Sequence, residues 1–135
     1  MNVIDLSYIR AINRSTNGAR LLLVTNRHSS LLLTLDCPWE MTPIFTEVQL
    51  EEQRQGAMLC LIDARVKWMD PVVLTPRLCE ATPVVWLAAS GQRRQKSWIR
   101  NAYSCGVSDI IYDPYPRDEL EETISVLLRL QSRIA

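Results

Sequence analysis

Asp63 closes the run Met58-Leu59-Cys60-Leu61-Ile62-Asp63 and is the acid best placed to do chemistry. Five apolar residues ending in one carboxylate describe a strand buried on both faces with its charge at the carboxyl end. In an open α/β sheet, that end is where ligands bind and react. What Asp63 can do depends on the neighbouring strand ends. They supply Thr25-Asn26 after Leu21–Val24, Ala88 and then Ser90-Gly91 after Val84–Ala88, and Asp113 after the last strand. Thr25-Asn26 and Ser90-Gly91 could line a crevice for a small ligand. His28 is the single histidine and cannot build a metal site alone. The glycines, at 18, 56, 91 and 106, fit neither GxGxxG nor P-loop spacing. The run Gly91-Gln92-Arg93-Arg94-Gln95-Lys96 puts positive charge at a helix start, where it could meet a phosphate-bearing ligand or an acidic partner. No nucleophile–base pair, metal-ligand cluster or cofactor motif is visible, so the chain reads as a non-enzyme without a metal or cofactor.

The elements that must position these residues follow from the apolar pattern. At 135 residues the chain supports one core, and 47% hydrophobic with 22% charged residues is an ordinary soluble composition. Lys+Arg and Asp+Glu are both 15, so no global charge draws it to nucleic acid or membrane. No run is long enough to span a bilayer, and the first residues lack a signal-peptide layout. Cys37, Cys60, Cys79 and Cys105 show no CxxC spacing, which points to a reduced, cytoplasmic protein. Residues 1–18 form an N-terminal extension, in which Leu6, Ile9 and Ile12 could make a short helix that packs or dimerises, ahead of a polar turn at 13–18. From residue 19 strands and helices alternate. Strands are expected at 21–24, 43–46, 58–63, 84–88 and 107–112. Helices are expected after a His28-Ser29-Ser30 cap to about Leu35, over 48–55, from Asp70-Pro71 until Pro76 interrupts it, over 92–104, and from an Asp118 cap onward. Leu78-Cys79 could begin a further turn, and Gly106 should close the 92–104 helix in the left-handed conformation. The sum is a single α/β domain, a doubly wound five-stranded parallel sheet with helices on both faces.

With the strands placed, the chain resembles the receiver domain of bacterial response regulators from about Ala19 to Leu130, within a receiver-like domain over 19–135. The resemblance rests on Gly106-Val107-Ser108-Asp109-Ile110-Ile111-Tyr112-Asp113-Pro114-Tyr115 followed by Asp118-Glu119-Leu120, which is similar to the family's "Gly-Ala-x-x-Tyr-hydrophobic-x-Lys-Pro-Phe … Glu-Leu" ending. Pro83-Val84-Val85-Trp86-Leu87 is similar to its fourth strand. A working receiver transfers a phosphoryl group to an aspartate. That needs carboxylates for Mg²⁺, and a cation and a hydroxyl to stabilise the moving charge. The resemblance places the acceptor on Asp63, the metal-binding acid pair on Thr25 and Asn26, the hydroxyl position on Ala88, the lysine on Asp113 and the aromatic switch on Ile110. A unit charge about 6 Å from a phosphoryl group is worth roughly 0.7–3 kcal/mol. Putting Asp113 in place of lysine reverses that sign, and losing the acid pair weakens metal binding too. The resemblance therefore implies a receiver fold with a degenerate phosphoacceptor pocket, in which Asp63 is an acid bonded to nearby amides.

Receivers of this family commonly dimerise through the helix after the fourth strand, the fifth strand and the last helix. Here Arg93, Arg94, Lys96 and Arg100, with Trp98, face an opposite-charge set of Asp109, Asp118, Glu119, Glu121 and Glu122, and Val126 and Leu130 add apolar surface. Complementary charge beside surplus apolar area suits a self-complementary interface, so a homodimer is expected, with other signalling proteins as further partners. The function that the resemblance implies is phosphorylation-independent signal transduction by protein–protein contacts. The context it suggests is the N-terminal regulatory domain of a bacterial DNA-binding transcriptional regulator, with DNA bound only through an effector outside these residues. A stand-alone adaptor or localisation module, or a domain that senses a small ligand in place of phosphate, are the alternatives.

Overall fold

The structure is a computed structural model that describes residues 18–27, 39–113 and 117–134. The extension over 1–17, the helix expected after His28, Cys37 and the turn at 114–116 lie outside the described residues. Strands β1 (Arg20–Val24), β2 (Glu40–Ile44), β3 (Leu59–Asp63), β4 (Val84–Ala88) and β5 (Asp109–Tyr112) form one parallel sheet in the order β2-β1-β3-β4-β5. Between them run α1 (Glu47–Gln53), α2 (Pro71–Leu78), a 3₁₀ turn (Ser90–Arg94), α3 (Lys96–Cys105) and, after β5, α4 (Arg117–Ile134). The order reverses at β1, so the crevice between the carboxyl ends of β1 and β3 is the topological switch point.

The central strands are continuous apolar runs because both faces are covered. Leu22, Val24, Cys60, Ile62, Val84, Trp86, Ala88 and Ile110 point to one side, where Leu50 of α1, Leu74 and Leu78 of α2 and Ala102 of α3 meet them. Leu21, Leu23, Leu59, Leu61, Val85, Leu87 and Ile111 point to the other, against Leu120, Ile124 and Leu128 of α4. Those three recur every fourth residue, which keeps one helical stripe on the sheet. Each such aliphatic side chain contributes roughly 1.5–3 kcal/mol by leaving water. Trp86 is almost fully buried and its indole N–H is satisfied, donating to Thr75 Oγ1 at 2.8 Å.

Several boundaries differ from the sequence expectation. The second strand begins at Glu40, three residues before Pro43, because it pairs residue for residue with Arg20–Val24. Pro43 is tolerated since β2 is an edge strand. Helix α1 starts one residue early, on a reciprocal cap: Gln49 N–H donates to Thr46 Oγ1 at 3.1 Å and Phe45 N–H donates to Gln49 Oε1 at 2.7 Å. Pro76 does not interrupt α2, and Leu78 ends that helix rather than starting another turn. The proline leaves the Val72 carbonyl without its helical donor, but Val72 and Pro76 are both exposed, so water can serve it, while Leu74, Thr75 and Leu78 anchor the helix inward. The expected helix over 92–104 is a 3₁₀ turn followed by α3, divided at Gln95. Arg93, Arg94 and Lys96 oppose the dipole of a helix N-terminus, and Gln92 Oε1 instead accepts from Ala89 N–H at 3.1 Å to close a separate turn. The third strand starts at Leu59 rather than Met58. The fifth starts at Asp109, since Val107 and Ser108 make the connection out of α3. Helix α4 starts at Arg117, which puts Asp118 inside its first turn rather than at the cap.

Candidate functional site

The carboxyl ends of β1, β3, β4 and β5 bring together Thr25, Asn26, Asp63, Ala88 and Asp113. Asp63 is 3% exposed. Its Oδ2 accepts from the Thr25 hydroxyl at 3.3 Å. Its Oδ1 accepts twice from Arg65, from the backbone N–H at 3.0 Å and from Nε at 3.1 Å. The guanidinium and the carboxylate form an ion pair whose arginine side is half-exposed and whose acid side is not. Asn26 extends the network, its Nδ2 donating to the Arg65 carbonyl at 3.1 Å and its Oδ1 accepting from Lys67 N–H at 3.0 Å. Trp68 Nε1 donates to the Thr25 carbonyl at 2.9 Å. The loops after β1 and β3 are thus laced together through the residues that line the switch point.

A phosphoacceptor needs a carboxylate oxygen open to an incoming group and a cation held opposite it. Here both oxygens of Asp63 are engaged by the chain itself, and the neighbouring charge is Arg65. Thr25 and Asn26 give the crevice a buried hydroxyl and an amide where metal ligation calls for carboxylates. Among the described residues no group of three or more His, Cys, Asp or Glu is arranged to hold a metal ion. Ala88 is fully buried, offers no hydroxyl, and its carbonyl accepts from Asp113 N–H at 2.8 Å. Asp113 is half-buried beside it. Ile110, where the resemblance put the aromatic switch, pairs with Trp86 and is buried in the core. The sequence reading placed the pocket residues together but missed Arg65, Lys67 and Trp68. The signal for Arg65 was its spacing, since a residue two beyond a strand-end aspartate can fold back onto it.

The second candidate surface flanks β5, an edge strand with α3 on one face and α4 on the other. Arg93, Arg94, Lys96 and Arg100 are exposed on the 3₁₀ turn and α3, and Asp118, Glu119 and Glu122 on α4. Val126 and Leu130 stay 47% and 50% exposed. The Arg93 guanidinium lies 4.9 Å from the centroid of the Tyr112 ring. Tyr103, half-exposed, has its hydroxyl pushed above the ordinary tyrosine range by burial and by Asp109 and Tyr112 nearby. Asp109 itself is half-buried, and its Oδ1 accepts from Ile110 N–H at 2.8 Å. Trp98 turns inward, its ring 5.6 Å from that of Trp86, so it supports this surface from the core side. Away from both regions, Arg77 bridges Glu47 and Glu51 and ties α2 to α1. No described helix is long and apolar enough to cross a membrane.

No family model and no curated protein matches the chain. Solved structures do. The signal receiver domain of an HD domain-containing protein from Pseudomonas fluorescens Pf-5 is 19% identical, with 87% of this chain and 92% of that chain covered at a TM-score of 0.72. The signal receiver domain of a modulated diguanylate cyclase from Desulfovibrio desulfuricans G20 is 15% identical, covering 87% and 99%, at 0.69. Full-length FixJ from B. japonicum is 17% identical at 0.67, with 84% of this chain covered, and this chain spans 59% of its length. The fold is that of signal receiver domains, and at these identities the likeness is one of fold.

Proposed function

We propose that this chain is a receiver-like regulatory domain that signals through protein–protein contacts without phosphorylation of Asp63. The observation that supports this is the carboxylate itself, which is buried, bonded to Thr25 and ion-paired with Arg65. In a phosphorylated receiver the acceptor's environment changes on modification. Here the same position is spent on holding two loops together. The domain acts in the cytoplasm, catalyses no reaction of its own, and presents the β5 edge with its flanking helices to a second copy of itself. The receiver domains that share its fold belong to proteins with different outputs, among them an HD domain-containing protein and a diguanylate cyclase. A DNA-binding effector, in a bacterial transcriptional regulator, is the output we propose here, and DNA would be met only through that effector.

The test is thermal unfolding with Mg²⁺ and beryllofluoride, which mimics an aspartyl phosphate. A ligand that binds only the native state raises the midpoint. The expected result is no shift. An upward shift that Asp63→Ala abolishes would show a working acceptor and overturn the reading.

A further inference from the structure

Cys79 and Cys105 stand at the carboxyl-terminal ends of neighbouring helices. Cys79 closes α2, its N–H donating to the Thr75 carbonyl at 2.9 Å, and Cys105 is the last residue of α3. Gly106 follows Cys105 directly and takes the left-handed conformation, with no side chain to keep Cys79 away. A Cβ on Gly106 would lie 2.7 Å from Cys79 Sγ and 3.3 Å from Cys79 Cβ, so the Cys79 thiol rests on the link between Cys105 and Gly106. The Cys105 thiol is turned to the same stretch of α2. It donates to the Ala102 carbonyl at 3.1 Å and hydrogen-bonds with the Thr75 side chain. Thr75 precedes Cys79 by one helical turn, and side chains so placed are about 5–6 Å apart at Cβ. Both thiols therefore border one turn of α2. A disulfide needs Cβ atoms about 3.5–4.5 Å apart. Both residues end a helix, where the backbone shifts most cheaply to bring that about.

Access separates this pair from the third described cysteine. Cys79 and Cys105 are half-buried, packed on the rim of the core that Leu74, Leu78 and Ala102 form, whereas Cys60 is fully buried in β3 beneath it. A solvent-borne oxidant can reach the first two in the native fold and not the third. Burial pushes the Cys105 thiol up, the Thr75 hydroxyl works against that, and Cys79 nearby adds to it. A thiol that keeps its proton is a poor first nucleophile, which gives the first attack to Cys79. With a peroxide as oxidant, the Cys79 thiolate attacks one oxygen, the O–O bond breaks, and a protonated water leaves behind a sulfenic acid on Cys79. Cys105 then attacks the Cys79 sulfur, the S–S bond forms, the S–O bond breaks, and the thiol proton leaves with the oxygen as a second water. Two electrons pass from the sulfurs to the peroxide.

We infer that Cys79 and Cys105 are a redox pair, oxidised by a peroxide to an intramolecular disulfide that ties α2 to α3 on one face of the sheet. The inference goes beyond the receiver-like reading and does not rest on it, since neither cysteine belongs to the Asp63 pocket or to the proposed dimer surface. The test treats the full 135-residue chain with hydrogen peroxide, alkylates the remaining thiols and maps tryptic peptides without reduction. Cleavage at Arg27, Arg54, Arg65, Arg77, Arg93, Arg100 and Arg117 puts the four cysteines in four separate peptides. The expected product joins Leu78–Arg93 to Asn101–Arg117, leaves Cys60 to be alkylated only after unfolding, and reverts with dithiothreitol. The cross-link should raise the melting midpoint by roughly 5 °C or more. Cys79→Ala and Cys105→Ala, checked for folding by circular dichroism, should show no such rise on oxidation. Full alkylation of both thiols after peroxide would overturn the inference. So would a sulfinic acid on Cys79 with Cys105 still alkylated, a link to Cys37 or to a second copy, or a cross-link that leaves the midpoint unmoved.

Discussion

Asp63 and Cys60 lie three residues apart on one strand and illustrate two fates of a titratable group in a core. Asp63 has a cation and a hydroxyl bonded to its carboxylate oxygens. Cys60 is buried among apolar side chains, and burial pushes its thiol up to about 12 from an ordinary value near 9. The native thiol therefore keeps its proton where the unfolded one loses it. Stability is full below about pH 9 and falls as pH rises toward 12, by about 1.4 kcal/mol per pH unit for each such group. Burial raises Cys105, Tyr103 and Tyr112 as well, so they act in the same direction. Urea midpoints measured from neutral to alkaline pH should decline, and Cys60→Ala should decline less steeply. Identical slopes for the two proteins would rule out Cys60 as the source.

At the scale of elements, the end of α3 depends on Gly106. Its φ of 114° is one that side-chain-bearing residues rarely adopt. A Cβ built there would stand 2.7 Å from Cys79 Sγ, which lies just past α2. Gly106→Ala then combines backbone strain with a clash, and should cost about 2–4 kcal/mol in denaturant unfolding. Adding Cys79→Ala removes the sulfur and should recover part of the loss but leave the backbone share. A variant as stable as the parent would mean that the turn relaxes freely. The helix stop was legible from Cys105-Gly106 in the sequence. The sulfur that makes the glycine sterically necessary was not, because Cys79 comes from another helix.

For the whole molecule, the arrangement of charge matters more than its sum. Acids on α4 and cations on the 3₁₀ turn and α3 flank the same edge strand, with Val126, Leu130 and Tyr103 exposed among them. If two copies pair there, Arg93→Glu with Arg94→Glu should halve the mass seen by sedimentation equilibrium at low salt. Adding Asp118→Lys and Glu122→Lys should restore it by inverting both sides of the pairing. An unchanged mass after the first pair of substitutions would sink the proposal.

The sequence alone determined the doubly wound sheet, because apolar runs at Leu21–Val24, Leu59–Ile62 and Val84–Ala88 can be buried only if helices cover both faces. It also determined which residues stand at the carboxyl ends of β1, β3, β4 and β5, since position at an end is largely a local property of each strand. It misjudged Pro76 because local rules penalise proline without knowing that this one sits on a solvent face, and it began the second strand late, at Pro43, because the pairing of Glu40–Thr42 with the first strand is not a local property. Only the tertiary structure decided what Asp63 bonds to. Its partners come from the residue just past β1 and from Arg65, whose side chain folds back across the strand end; no period or composition announces the first, and spacing alone hints at the second. Tertiary structure likewise gathered Thr25, Asp63, Ala88 and Asp113 from separate strand ends onto one edge, because parallel strands all deliver their carboxyl ends to the same side of the sheet.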